Sequence, residues 1–377
     1  MKAIQTTPNR PPGFTLIEVM LSTAIISLLL LVLVSITSQT AATWRYTTGK
    51  IEQFRESRAA FESITTKISQ ATLNTYWDYG YDGAGLPTRY ERRSELRFNS
   101  GPASVLIGNA ASGTRVTHAV FFHAPIGIVG STYPQYHGLE GLLNVWGYYL
   151  ELNSDKDFRP SFVDSATPPP PLRYRFRLME CMQPSENLRT YGYTSGVVGG
   201  KPVAATYAGK EWFKNSVNAS PNPSRPVAEN IVALILTPRL SKRDEEEVKG
   251  GTSEIDTSPL APKYVYDSSL TKNDGQTGTD ARINPKNQLP PVIQVTMVAI
   301  DETSASRLNL SAASGDVFKL NTKFTDTSKF TTDLVANPGA GADASLENSL
   351  INKRANYRVF TTNIPIRAAK WSRDQVN

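Results

Sequence analysis

Cysteine is almost missing from this chain. Cys181 stands alone in "RFRLMECMQP", so no disulfide can close within the molecule. At 377 residues the chain is long enough to bury a core without such a staple. A single thiol reads as a small buried hydrophobe. Arg175 and Arg177 are near it in sequence, which is no activating arrangement. Histidine is equally scarce, at positions 118, 123 and 137. His118 and His123 are five apart, which places them on opposite faces of a strand and speaks against a zinc pair. No G-x-S-x-G nucleophile turn occurs. "GGKPVAATYAGK" has Ala204 where a phosphate loop needs glycine. These gaps lead us to expect no catalytic residue, no metal site and no cofactor.

Charge of one sign is not in large excess either. The net charge is +6, spread over the whole length. The densest basic stretch, "RYERRSELR" at 89–97, includes two glutamates and reads as a solvated strand edge. Nucleic acid is therefore not an expected partner by default. The acidic run in "KRDEEEVKGGTSEIDTSP" (242–259) reads as a solvated loop. "TKNDGQTGTD" (271–280) lacks the ligand spacing of a calcium loop.

Two further absences concern the N-terminus. No charged residue occurs from Val19 to Trp44, and no proline from Phe14 to Leu86. The apolar stretch from Phe14 to Ile36 makes a helix of about 34 Å, enough to cross a hydrocarbon core of about 30 Å. Ser22, Thr23 and Ser27 are tolerable there, because hydroxyls bond back to the helix backbone. The preceding "MKAIQTTPNRPPG" holds Lys2 and Arg10 and no acid, which keeps it on the cytoplasmic side and exports the rest. A secretory signal fits poorly, since its apolar part is shorter and its cleavage site follows that part. A plain anchor does not explain Gly13 with Glu18 five residues on. A carboxylate at membrane depth costs about 2.5–3.5 kcal/mol and needs a partner.

"G-F-T-L-I-E-V-M" (13–20), followed without a gap by the apolar span, resembles the processing motif of type IV pilins and type II secretion pseudopilins. The resemblance implies cleavage between Gly13 and Phe14 by a membrane peptidase that also methylates the new amino terminus. Glycine suits the cut because a side chain would hinder backbone access. The resemblance also implies that Glu18 pairs with the amino terminus of a neighbouring subunit in a filament. The residues themselves leave a second option: Glu18 lies one turn from Phe14, on the positive end of its own helix. The implied partners are the prepilin peptidase, other minor and major pilin-like subunits, and the inner membrane, with the N-terminus cytoplasmic and the head periplasmic.

Beyond Trp44 the pattern turns amphipathic. Ile51, Phe54, Phe61, Ile64 and Ile68 share one helical face, interrupted by Lys50 and Arg58, and Arg58 and Glu62 are spaced as an i,i+4 pair. One helix is expected from Phe14 to about Leu73, ended by the glycines and aromatics of "NTYWDYGYDGAG" (74–85). The expected organisation is a leader at 1–13, a transmembrane half of the helix at 14–36, its periplasmic half at 37–75, and a β-rich head at 76–377.

Candidate strands in the head are 94–98, 115–124, 142–152, 172–181, 230–240, 291–300 and 356–367, rich in β-branched and aromatic residues. "IVALIL" (231–236) is apolar on both faces and reads as a central strand. "SATPPPP" (165–171) reads as a stiff connector, and "DYGYDGAG" and "ANPGAGADAS" as flexible loops. No long helix intervenes, so antiparallel pairing is expected. The fold class is α+β, pilin-like: a long N-terminal helix packed on a mostly antiparallel β head with long loops. "ENIVALILTPR", "LAPKYVYDSS" and "LPPVIQVTMVAIDE" resemble the C-terminal half of J-type minor pseudopilins. With "YRVFTTNIPIRAAKWS" (357–372) the set is similar to the Verru_Chthon cassette protein C family.

These readings lead to a minor pilin or pseudopilin at or near the tip of a periplasmic filament, of a type II secretion or type IV pilus-like kind. The bulky head is easiest to accommodate at an end. An alternative is an adhesin or DNA-uptake minor pilin whose head binds a ligand, which surface exposure of Arg89, Arg92, Arg93 and Arg97 would favour. A third is a membrane-tethered enzyme, which would need a deep pocket with convergent polar groups.

Overall fold

A computed structural model describes residues 13, 15–108, 114–139, 141–188, 190, 197–198, 201–202, 210–219, 223–249, 260–276 and 283–371. The chain divides into two compact units, Met1–Gln53 and Phe54–Asn377.

The first unit is the leading part of helix α1, which runs Leu16–Ser69 without interruption. Its apolar side chains from Leu16 to Ile36 are exposed, and its best window has a mean hydropathy of 2.8. The hydroxyls of Ser22, Thr23 and Ser27 bond back to the helix backbone, as expected. Ser22 Oγ donates to Glu18 O at 2.7 Å, Thr23 Oγ1 to Met20 O at 3.0 Å, and Ser27 Oγ to Thr23 O at 2.7 Å.

The second unit begins within α1. Phe61, Ile64 and Ile68 are buried, Phe54 is half-buried against the same core, and Arg58 turns outward to pair with Glu62 at 2.9 Å. The side chains of Lys50 and Ile51 lie outside the described residues. The helix stops at Ser69, short of Leu73, because the Thr72 amide is taken by His123 O at 2.8 Å.

The strands are β1 Tyr76–Tyr81, β2 Pro87–Arg93, β3 Asn99–Pro102, β4 Thr114–Pro125, β5 Leu143–Ser154, β6 Tyr174–Gln183, β7 Val197–Val198, β8 Lys201–Pro202, β9 Ser224–Glu229, β10 Ile231–Arg239, β11 Tyr266–Asp267, β12 Val292–Ile300 and β13 Tyr357–Pro365. Short helices α2 Ala103–Leu106, α3 Ser161–Asp164, α4 Glu211–Val217, α5 Lys242–Lys249, α6 Glu302–Arg307, α7 Phe330–Leu334 and α8 Leu346–Asn352 fill the connections. A six-stranded sheet has the order β11-β3-β4-β5-β6-β9 and a three-stranded sheet the order β10-β12-β13. Every pairing in both is antiparallel. β1 and β2 form a separate hairpin, and β7 pairs with β8.

The six-stranded sheet is buried on both faces. Phe122, Trp146, Leu150 and Leu178 point into a large core shared with α1, β10 and β12. Phe121, Tyr149, Met179 and Cys181 point the other way, under α2 and α4. Gly147 is required in β5 because the Phe121 ring lies over it: a Cβ there would sit 2.2 Å from that ring. The space it leaves lets Phe121 stack on Phe213 of α4, with centroids 4.1 Å apart.

Four expectations are corrected. Residues 94–98 form no strand, since the Glu95 and Leu96 amides are held by the side chain of Asn74, and pairing starts only at Asn99. The stretch 78–85 is no loose loop. Asp82 Oδ1 accepts from the amides of Ala84 and Leu86, closing the turn of the β1–β2 hairpin. Part of the acidic run 242–259 is helical, as α5, whose start is capped by Ser241 Oγ accepting from Asp244 N at 3.1 Å; residues 250–259 lie outside the described residues.

The fourth correction concerns β10. "IVALIL" is buried on both faces, yet β10 is an edge strand and β12 the central one. A bulge in β4 explains how an edge survives in the core. Thr117 takes φ +55, and the β4–β5 register shifts between Val116 and Val120. The bulge turns Thr117 Oγ1 and His118 Nδ1 towards β10, where they accept from the Leu234 and Leu236 amides at 3.2 and 3.0 Å. Side chains thus supply the partners a neighbouring strand would have given.

Candidate functional site

The N-terminal segment is built on the start of α1. Gly13 is exposed, and a Cβ there would meet nothing within 4 Å. The chain's own packing therefore makes no demand for glycine at this position. Phe14 lies outside the described residues. Thr15 and Glu18 form a reciprocal capping box. Glu18 N donates to Thr15 Oγ1 at 3.3 Å, and Thr15 N donates to Glu18 Oε2 at 3.2 Å. The Thr15 hydroxyl adds a bond to the same oxygen at 3.1 Å. Sequence reasoning weighed the charge of Glu18 and overlooked this role, although the signal was present as T-x-x-E before an apolar run. Within the single chain the carboxylate thus has a local use at the positive end of the helix. Oε1 accepts no bond among the described residues and remains open to a cation from elsewhere.

A second polar cluster joins α1 to the sheet. The Glu180 carboxylate, 2% exposed, receives Lys67 Nζ of α1 at 2.6 Å and Tyr148 OH at 2.7 Å on one oxygen. Arg225 binds its other oxygen with two nitrogens, at 2.7 and 3.0 Å. Burial works to raise the pKa of Glu180, but the bonds from Lys67, Tyr148 and Arg225 outweigh it and hold the group below the ordinary carboxylate range. Lys67 also sits over the Trp146 ring, 3.8 Å from its centroid. At the far end of β6, Arg175 binds Glu302 at 2.6 Å, and Arg173 reaches the same oxygen at 2.9 Å. Burial opposes ionisation of Glu302, yet Arg175, Asn230 and Ser306 pull its pKa down to about 2.

The two histidines do sit on opposite faces of β4, and each is fully bonded. His118 Nδ1 accepts from Leu236 N, so its Nε2–H donates to Phe324 O at 3.0 Å. His123 Nδ1 lies 3.1 Å from Arg97 O, and its Nε2 lies 2.6 Å from Thr190 Oγ1. Burial lowers both pKa values to about 4, so both rings are neutral near pH 7. Burial raises the Cys181 thiol to about 11. Among the described residues no group of three or more His, Cys, Asp or Glu side chains is gathered to hold a metal ion. An open groove of about 550 Å³ lies between α1 and β9, lined by Glu56, Ala59, Ala60, Ser63 and Pro226–Glu229.

The arginines at 89–97 do not form an exposed basic cluster. Arg89 pairs with Glu91 at 2.7 Å and Arg93 with Asp78 at 3.3 Å. Arg92 is buried, 5.3 Å from the Trp77 ring centroid, and half-buried Arg97 donates to Asn287 Oδ1 at 2.7 Å. What the hairpin exposes instead is aromatic: Tyr76, Trp77, Tyr79, Tyr81 and Tyr90.

Residues 9–34 match the family model of the prokaryotic N-terminal methylation motif. Comparison with curated proteins and with solved structures finds no match. The matched stretch contains Gly13, Thr15 and Glu18 and leads into the apolar helix, an element compatible with membrane anchoring. The chain thus carries a type IV pilin-like signal for processing by prepilin peptidase, followed by a long N-terminal helix and an antiparallel β head of α+β architecture.

Proposed function

We propose that this protein is a minor pilin or pseudopilin. It is cut between Gly13 and Phe14, methylated at Phe14, and incorporated at or near the tip of a periplasmic filament of the type II secretion or type IV pilus kind. The observation that carries this reading is the methylation motif at 9–34, running into a helix unbroken from Leu16 to Ser69. Before assembly the helix spans the inner membrane, with its leader in the cytoplasm and its head in the periplasm. In the filament, Glu18 neutralises the Phe14 amine of an adjacent subunit. An unpaired carboxylate at that depth would cost about 2.5–3.5 kcal/mol, and Oε1 is the oxygen left to take the amine. Other pilin-like subunits contact the head, whose C-terminal strands resemble those of J-type minor pseudopilins and of the Verru_Chthon cassette protein C group.

The role assigned is structural. Both core histidines are neutral with their ring nitrogens engaged, and the one thiol is held in its protonated form. These features support assembly over catalysis. Mass spectrometry of the amino terminus from native membranes tests the processing step. The expected product begins at methylated Phe14. An intact leader in cells that possess the peptidase would refute the proposal. Glu18→Ala is expected to leave cleavage intact and abolish incorporation; normal incorporation would remove the charge-pairing step.

A second reading, a ligand-binding head on the same helix, draws on one observation, the exposed aromatic face of the β1–β2 hairpin. The paired and buried arginines beside it do not favour DNA as that ligand.

A further inference from the structure

The β1–β2 hairpin places Trp77, Tyr79 and Tyr81 on one face of β1, with Tyr90 opposite Tyr79 and Arg92 opposite Trp77. The four rings are 43–61% exposed, a concentration of open aromatic surface in one short hairpin. The Tyr79 and Tyr90 rings lie 4.8 Å apart, with their hydroxyls 3.1 Å apart.

We propose that this face is a binding site for a neutral glycan chain, its sugar rings lying along Trp77, Tyr79 and Tyr81. Alternate residues of a strand are about 6.6–6.8 Å apart, which spaces Trp77 and Tyr79 along one face, and Tyr81 continues the series past the register shift between Gly80 and Tyr81. A pyranose offers an apolar C–H face and a rim of hydroxyls. Tyr and Trp offer the complement, an apolar ring with a polar tip.

Charge supports a neutral occupant. The hairpin carries Asp78, Asp82 and Glu91 against Arg89, Arg92 and Arg93, so its formal charges cancel. Arg89, Glu91, Arg93 and Asp78 pair with one another on the opposite face. Only Arg92 lies on the aromatic face, and it is buried. A single-stranded nucleic acid needs a cationic track beside its stacking rings, and none is exposed here. The hairpin adds one exposed aliphatic side chain, Leu86, so its open surface is amphipathic ring rather than plain hydrocarbon.

The platform is also held in shape before any ligand arrives. Asp82 closes the turn, Asn74 Oδ1 accepts from Ser94 Oγ and from the amides of Glu95 and Leu96 at the base, and Asn287 Nδ2 donates to Arg92 O at 2.6 Å. This site does not depend on the prepilin reading, and either can fail without the other.

The test is retention of the full chain, purified in detergent micelles, on microcrystalline cellulose and on chitin, with calorimetric titration of soluble cellohexaose and chitohexaose. Binding to at least one glycan is expected, weakened about tenfold for each ring removed in Trp77→Ala and Tyr79→Ala, equivalent to about 1.4 kcal/mol. Arg89→Ala, on the opposite face, is expected to bind as the parent does, and circular dichroism of each variant checks the fold. Failure to bind all four glycans overturns the site. So does glycan binding that survives both ring deletions, or binding of a thirty-residue oligothymidylate through these rings with the glycans ignored.

Discussion

Removing the Glu180 carboxylate tests how the amphipathic end of α1 is fastened to the sheet. In Glu180→Gln, the Lys67 ammonium loses its counter-charge while it stays over Trp146, and Tyr148 OH keeps at best a neutral acceptor. Deleting one partner of a buried ion pair costs about 3–5 kcal/mol. Lys67 is 22% exposed and Arg225 70% exposed, so water relieves part of that loss. A cost of about 2–3 kcal/mol is expected, at about 2 °C or more of melting temperature per kcal/mol for a domain of this size. Thermal unfolding of the full chain in detergent, followed by circular dichroism, reads the effect. The pH dependence supplies the sign. The folded-state pKa of Glu180 lies below its ordinary value of 4.5, so its stabilisation is whole above that value and is lost as pH falls through the lowered one. Parent and variant should differ most near pH 7 and converge in acid. A double-mutant cycle with Lys67→Met should return a coupling of at least about 1 kcal/mol. A variant as stable as the parent at pH 7, or a difference that grows in acid, would refute the reasoning.

Further outcomes follow from other sites. Glu302→Gln is expected to destabilise the head at pH 7, and the difference should vanish between pH 4.5 and about 2, because Arg175 and Asn230 depress that carboxyl; acid titration of the melting temperature checks it. His118→Leu orphans the Leu236 amide and the Phe324 carbonyl, at about 1–3 kcal/mol for each group left unsatisfied. Since folding lowers the His118 pKa from 6.5 to about 4, its contribution is full above pH 6.5 and declines towards pH 4, measurable by urea titration across that range. Gly147→Ala drives a methyl group into the Phe121 ring and is expected to cost about 1–3 kcal/mol, read by the same titration; an unchanged midpoint would show that Phe121 is free to move aside.

The comparison of sequence with structure turns on how far apart the interacting residues are. β4, β5, β6, β10, β12 and β13 were legible because each is a continuous run of β-branched and aromatic residues, long enough to show its type. The β1–β2 hairpin was misread because its glycines and tyrosines look like a loop. Its turn depends on the Asp82 side chain closing on two amides. The edge position of β10 was illegible for another reason. Apolarity on both faces reports burial, not the number of neighbouring strands. What covers β10 comes from Thr117 and His118, more than a hundred residues earlier. The stretch 89–97 reads as a solvated strand edge, but Arg92 is buried and Arg97 is held by Asn287 at the hairpin's base.

By itself the sequence determined the methylation motif at 9–34, the membrane-length helix that it runs into, and the strand character of the head. Each is written in neighbouring residues: a glycine before an apolar run, a threonine three places before a glutamate, a span without charge. Tertiary structure alone decided which strand is central, which arginines are spent on carboxylates, and which aromatic rings stay in water. Those outcomes depend on partners brought together by the fold, and local pattern carries no information about contacts between distant parts of the chain.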